Sequence, residues 1–210
     1  MLLGLEQALG FTAAAVLITV SPGPDNLMVL SLGIARGRRE GMVFGLGCAL
    51  GCLSHTLLAT LGISAALAAS PLAFATLKTA GGLYLIWLGW QAWHSQGCQL
   101  ETTGTEATQP DLWQLFGKGL LANAINPKVV LFFLAFLPQF VVSSHGSVSW
   151  QTAQLGLLFT VQAAIVFGML GYFAGQAGSW LNTSPQRGRL LDRIAGSIFI
   201  LLGLKLILTG

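Results

Sequence analysis

The sequence predicts an all-α integral membrane protein of six transmembrane helices, arranged as two inverted three-helix halves, and two observations carry that prediction. The first is composition: 54% of the 210 residues are hydrophobic, only 8% are charged, and the mean hydropathy is +0.73. Soluble domains carry about 25% charged residues, so a chain this poor in charge belongs in a bilayer. The second is a pair of helix-breaking motifs, Pro22-Gly23-Pro24 and Asn126-Pro127, in the first and fourth apolar segments. Pro22 and Pro127 lie 105 residues apart, half the chain length, so the breaks occupy corresponding places in two halves.

The first segment covers residues 5–34, longer than the roughly 20 residues that a straight span needs. Ser21-Pro22-Gly23-Pro24-Asp25-Asn26 sits in its middle, where proline and glycine weaken a helix and a carboxylate is out of place. Backbone released there cannot face hydrocarbon, so it must face protein or a wet cavity. A secretory signal is rejected for this segment, because no Lys or Arg precedes the apolar run and no small-residue cleavage site follows it. Arg36-Gly37-Arg38-Arg39-Glu40 closes it.

The second span is expected over 41–68, with the small-residue pairs Gly41/Gly45 and Gly47/Gly51 allowing close helix approach. The third follows Ser70-Pro71 and ends near His94, where Trp90 and Trp93 suit a membrane interface. Residues 97–112 form a polar connector, which divides the single membrane domain 1–210 into halves 1–96 and 113–210. The fourth segment, 113–141, repeats the anomaly of the first. The fifth span is expected over 152–180 and the sixth over 191–208. The third and sixth also align at an offset of 114, with Leu77, Gly82, Ile86, Leu88 and Gly89 matching Leu191, Gly196, Ile200, Leu202 and Gly203. Each half has an odd number of spans, so the second enters the membrane inverted, as in many secondary transporters.

The net charge is +3, but the basic residues fall in short loops, and orientation explains them better than nucleic acid does. Arg36, Arg38, Arg39, Lys118, Arg187, Arg189 and Arg193 gather on one side. The positive-inside rule places those loops in the cytoplasm and both termini outside.

At each break a polar residue precedes proline, and Ser21-Pro22 and Asn126-Pro127 both read as the N-cap and first position of a new half-helix. Two such starts near the bilayer centre attract an anionic group, although paired proline kinks that only shape packing would leave the same signature. Asp25 and Lys128 follow these caps. A charge at the bilayer centre costs roughly 2.5–3.5 kcal/mol, so both are expected to face the interior, close together. Asp25 can receive a substrate ammonium or a coupling proton, and Lys128 can meet a carboxylate or pair with Asp25. Asn26, Asn123 and Asn126 can complete the shell or satisfy broken backbone. His55 can line the substrate path or relay protons, and Gln162 is a similar candidate.

Cys48, Cys52 and His55 share one helical face, which leaves open a heavy-metal exporter or a thiol-redox carrier. Three cysteines without framework spacing imply no disulfide scaffold, and no four-ligand metal set is present. No Ser/His or carboxylate pair suggests an enzyme, and no cofactor is expected.

Ser21-Pro22-Gly23-Pro24, the run Arg36-Gly37-Arg38-Arg39-Glu40-Gly41, then Gly47, Gly51, His55 and Leu61-Gly62, and finally Asn126-Pro127-Lys128 with Phe132-Phe133 and Pro138-Gln139-Phe140, resemble the LysE/RhtB family of amino-acid exporters. The resemblance covers essentially the whole chain. It implies a six-span protein of the bacterial inner membrane that exports amino acids or their small derivatives, as a homodimer and in exchange for protons. On that reading Ser21, Pro22, Gly23, Pro24, Asp25, Asn26, His55, Asn123, Asn126, Pro127 and Lys128 form the substrate-binding or coupling site.

Overall fold

A computed structural model describes residues 3–69, 71–95, 111–182 and 184–208. Among these the chain is helical throughout, without strands. Of the expected connector only Asp111 and Leu112 are described; the remainder, with Cys98, lies outside the described residues.

Helix α1, Leu5–Val20, stops because the residue before a proline is driven into extended backbone, and Ser21 has φ −60° and ψ 135°. Helix α2, Pro24–Ala35, restarts with proline in its first turn and Gly23 as its cap, at a bend of 58°. The new half-helix thus begins at Pro24, not at Pro22 as Ser21 in an N-cap role would require. Ser21 instead closes α1, its hydroxyl donating to the Ile18 carbonyl over 2.7 Å. Gly37, with φ +122°, makes the turn into α3, Arg38–Ala69, in backbone that a side chain rarely adopts.

Helix α4 covers Pro71–His94, and α5, Leu112–Ala124, is capped by the Asp111 carboxylate. At the second break the expectation for the cap holds: Asn126 Oδ1 accepts from Lys128 N, with Pro127 opening α6, Pro127–Leu131. The bend is 48°. Pro138 has no N–H to give, and the helix widens to π geometry over Phe132–Phe136 and tightens to 3₁₀ over Leu137–Phe140.

Helix α7 covers Val148–Tyr172, α8 Ala174–Asn182 and α9 Pro185–Leu208. The single fifth span expected over 152–180 is therefore divided at Phe173. Glycine weakens the helix at 168, 171 and 175, and the chain turns where Gly171 sits against the Gly41–Met42 backbone and Ala174 against Gly33. Helix α9, the expected sixth span, starts at Pro185, nearly two turns earlier than 191.

Arg38–Gly62 and Val148–Tyr172, 25 residues each, are long and apolar enough to cross a bilayer; counting each bent pair as one span gives up to four. Helices α4 and α9, the expected third and sixth spans, stand outside that count. Large apolar side chains such as Leu57, Leu61, Leu157, Val161, Ile165 and Leu201 remain exposed, as a lipid-facing exterior requires.

Helix α3 packs along α5 and α7, and α4 along α9. Small residues make those crossings close, since a Cβ on Gly47 would collide with the Phe116 carbonyl and one on Gly119 with the Phe44 carbonyl. Between α4 and α9, Gly82 faces Gly203 and Gly89 faces Gly196, each too close for a Cβ. These are the glycines that the 114-residue offset aligns, now in crossed, antiparallel contact. The centre is aromatic: Phe11, Phe132, Phe133, Phe136 and Phe159 are buried together.

Candidate functional site

Both broken helices meet inside the protein, and their polar residues tie the halves together. Lys128, 7% exposed, donates from Nζ to the carbonyls of Ile18 and Ser21 at 3.1 and 3.0 Å. These are end carbonyls of α1, at the negative pole of its dipole. Asn123, near the end of α5, likewise donates from Nδ2 to Asp25 Oδ2 in the first turn of α2 over 2.7 Å. The second half thus satisfies acceptors that the first leaves open.

Asp25 and Lys128 line one cavity of about 10 Å³, room for roughly one water molecule, with Thr19, Asn123 and Phe159. They are neighbours, as expected, but the ammonium ends on two carbonyls and the carboxylate on an amide. These hydrogen bonds stand in place of the direct ion pair, one of the two alternatives for Lys128.

Asn123 is the hub of the network. Its carbonyl accepts from His55 Nε2 at 2.9 Å, and Cys52 Sγ donates to its Oδ1 at 3.4 Å. Gly51 makes room for it, since a Cβ there would lie 2.8 Å from Asn123 Cβ. His55 also rests against the Phe133 ring, so it supports Asn123 and does not line the large vestibule described next. Asn26 donates to the Thr19 carbonyl over 2.8 Å, and Gln162 to the Thr19 hydroxyl over 2.9 Å. Asn26 Oδ1 and Gln162 Oε1 are buried without partners. Cys48 and Cys52 are buried free thiols, and among the described residues no three His, Cys, Asp or Glu side chains converge at metal-ligand spacing.

On the other side of Lys128 lies a vestibule of about 550 Å³, within the range of small-molecule sites. The first break contributes Pro22, Gly23 and Pro24 to its wall, and the second Asn126, Pro127 and Lys128. Gly23 is extended, with φ −173°, so its glycine is not needed for backbone strain. It is needed for space, because a Cβ would stand 2.8 Å from Lys128 Nζ. Asn126 uses Oδ1 as the helix cap, and its Nδ2 is buried with no partner. An orphan donor beside a buried ammonium makes this wall suited to a carboxylate.

The rest of the wall includes Tyr84 and Gln91 of α4, Ser95 just after it, and Asp192 of α9. Sequence reasoning missed these residues. A lone acid in an apolar helix was the available signal at Asp192, but starting the sixth span at 191 placed it at a helix end. A second, more open hollow of about 540 Å³ shares Ser95 and adds Trp93, His94, Arg189 and Arg193.

At the other end of α1 a set of hydrogen bonds ties the bundle together. Gln7 Nε2 donates to the Phe140 carbonyl and, over 2.9 Å, to Gln151 Oε1. The same Oε1 accepts from Val142 N at 3.1 Å, and Gln151 Nε2 returns a bond to the Val142 carbonyl at 3.0 Å. Beneath this clasp Phe11 packs edge-on against Phe140 with centroids 5.4 Å apart.

A family profile described as LysE type translocator matches residues 16–210. An uncharacterized membrane protein of Vibrio cholerae is 32% identical over 94% of this chain and 95% of its own. The homoserine/homoserine lactone efflux protein of Salmonella typhimurium is 29% identical, over 94% of each chain. The threonine efflux protein of Escherichia coli K12 is also 29% identical, over 92% of this chain and 94% of its own. No solved structure matches.

Proposed function

The chain belongs to the LysE type translocator family, a family of efflux transporters and not of enzymes, and on that premise we propose that it exports a small amino acid or amino-acid derivative from the bacterial cytoplasm by alternating access, in exchange for protons. The observation that carries this reading is the vestibule of about 550 Å³ whose wall takes residues from both helix breaks. The unpartnered Asn126 Nδ2 and the Lys128 ammonium would take the substrate carboxylate. Asp25 is separated from the vestibule by Lys128 and bonded to Asn123, a position that favours proton coupling over substrate contact.

Six spans in two inverted halves fit this scheme, with the bent pairs as spans one and four and the antiparallel α4 and α9 as spans three and six. The crossed glycine contacts support that arrangement. With the basic loops in the cytoplasm and both termini outside, the vestibule opens inward past Ser95 toward Arg189 and Arg193, while the Gln7–Gln151 clasp closes the outer end. That is the conformation in which an exporter loads. The vestibule is bounded by one chain, so pairing into a homodimer would leave two complete sites.

The test is to express the chain in cells lacking their own amino-acid exporters and challenge them with toxic dipeptides and amino-acid analogues. Raised tolerance, accompanied by the compound outside the cells, is the expected result. Unchanged tolerance and unchanged external amino acids across the panel would reject the reading.

A further inference from the structure

We propose that Asp192 receives the ammonium group of the exported substrate and so restricts the vestibule to compounds that carry a free amine. The assignment rests on the amino-acid export reading and goes beyond it. Asp192 lies in α9, is 6% exposed, and lines the same vestibule as Asn126 and Lys128. Its carboxylate takes a hydrogen bond from the Ser95 side chain, whereas Oδ2 is buried and has no partner. A carboxylate withdrawn from water needs its lone pairs filled, and an ammonium fills them with charge-assisted bonds.

The remaining wall has the complementary chemistry. The same vestibule is lined by a buried ammonium and an orphan amide donor, both suited to a carboxylate. Helix α4 adds Tyr84 and Gln91, which are polar but uncharged. A zwitterion would bridge the two sets of groups, carboxylate toward α6 and amine toward α9. Asp25 cannot take the amine without a rearrangement, because it sits behind Lys128 in a cavity with room for about one water. Asp192 also borders a further cavity of about 200 Å³, lined mainly by apolar residues such as Leu27, Leu30, Leu170 and Trp180. An apolar side chain carried on the same α-carbon as the amine would fit there.

Everted membrane vesicles provide the test, with L-threonine and L-homoserine as probes beside the analogues 2,3-dihydroxybutyrate and 2,4-dihydroxybutyrate, in which a hydroxyl replaces the amine. The wild-type protein is expected to accumulate the amino acids and to discriminate against the hydroxy acids. Asp192→Asn keeps the shape and the Ser95 contact but removes the charge. It should weaken apparent affinity for the amino acids by about tenfold or more and narrow the preference over the hydroxy acids, at unchanged abundance in the membrane. Asp192→Glu should recover part of both, which a loss of folding would not. Unaltered discrimination in Asp192→Asn, with the wild-type protein active, overturns this assignment alone. Failure of the wild-type protein to carry either amino acid, or any compound of the analogue panel above, removes the export reading and this assignment with it.

Discussion

Lys128 Nζ lies 3.0 Å from the carbonyl oxygen of Ser21, and through that contact the second broken helix caps the first. The lysine does two things at once: it closes the C-terminal end of α1 and presents a positive charge to the vestibule. Lys128→Met separates them. The lost cap should lower stability in detergent by about 1–3 kcal/mol, because two buried carbonyls lose a charged donor. If the ammonium also meets substrate, affinity for amino acids should fall more than affinity for their neutral amides. Uptake into everted vesicles measures both, and an equal loss would leave only the capping role.

Gly23→Ala tests the same contact without touching the charge. The added Cβ would stand 2.8 Å from Nζ and 3.3 Å from Cε of Lys128, and the end of that side chain is flexible enough to move. Folding and membrane abundance should be normal. Export should weaken severalfold, corresponding to about 1 kcal/mol of displaced hydrogen bonding. In a double-variant cycle with Lys128→Met the two effects should fail to add, since both act through one ammonium. Additive losses would mean that Gly23 serves some other purpose.

Asp25→Asn should leave the protein folded, because an amide oxygen can still accept from Asn123 across the 2.7 Å contact. What it removes is the site for a proton. Uphill export driven by a pH gradient should be abolished, while exchange down a substrate gradient continues. Gradient-driven transport at the wild-type level in this variant would exclude Asp25 as the coupling group. Asn123→Ala is expected to do more damage, about 1–3 kcal/mol of stability, since it leaves the buried Asp25 carboxylate without its amide donor.

The breaks were legible because proline, glycine and asparagine act through local backbone chemistry. Asparagine before proline favours a helix start, and the structure has one at Asn126-Pro127. Ser21 misled for the same reason: it is also a good cap, but Pro24 one step beyond Gly23 took the first helical turn. The nearness of Asp25 and Lys128 followed from the cost of charge in hydrocarbon, yet their partners did not. Lys128 binds backbone carbonyls, and every residue has one, so no side-chain pattern could point to them. The direction of His55 depended on how α3 crosses α5, which the glycines allow but do not specify. Asp192 was hidden by its neighbours: Arg187, Arg189 and Arg193 made a helical turn look like a loop.

On the proposed orientation, the Gln7–Gln151 contact, 2.9 Å long and joined to both backbone groups of Val142, is the last closure that an export cycle would have to open. Gln151 is 3% exposed and Leu is close to it in size, so Gln151→Leu would remove the polar bonds while keeping the packing. The three bonds that it makes to Gln7 and Val142 are each worth about 0.5–1.5 kcal/mol, and every 1.4 kcal/mol shifts an equilibrium tenfold. The outward-open form should therefore gain about tenfold or more in population. Ala14, buried on α1, reports this when replaced by cysteine in a background carrying Cys48→Ala, Cys52→Ala and Cys98→Ala. A membrane-impermeant maleimide added outside should label Ala14→Cys several times faster in the presence of Gln151→Leu. The same labelling rate with and without Gln151→Leu would mean that the aromatic layer of Phe11, Phe136 and Phe140 seals the outer end by itself.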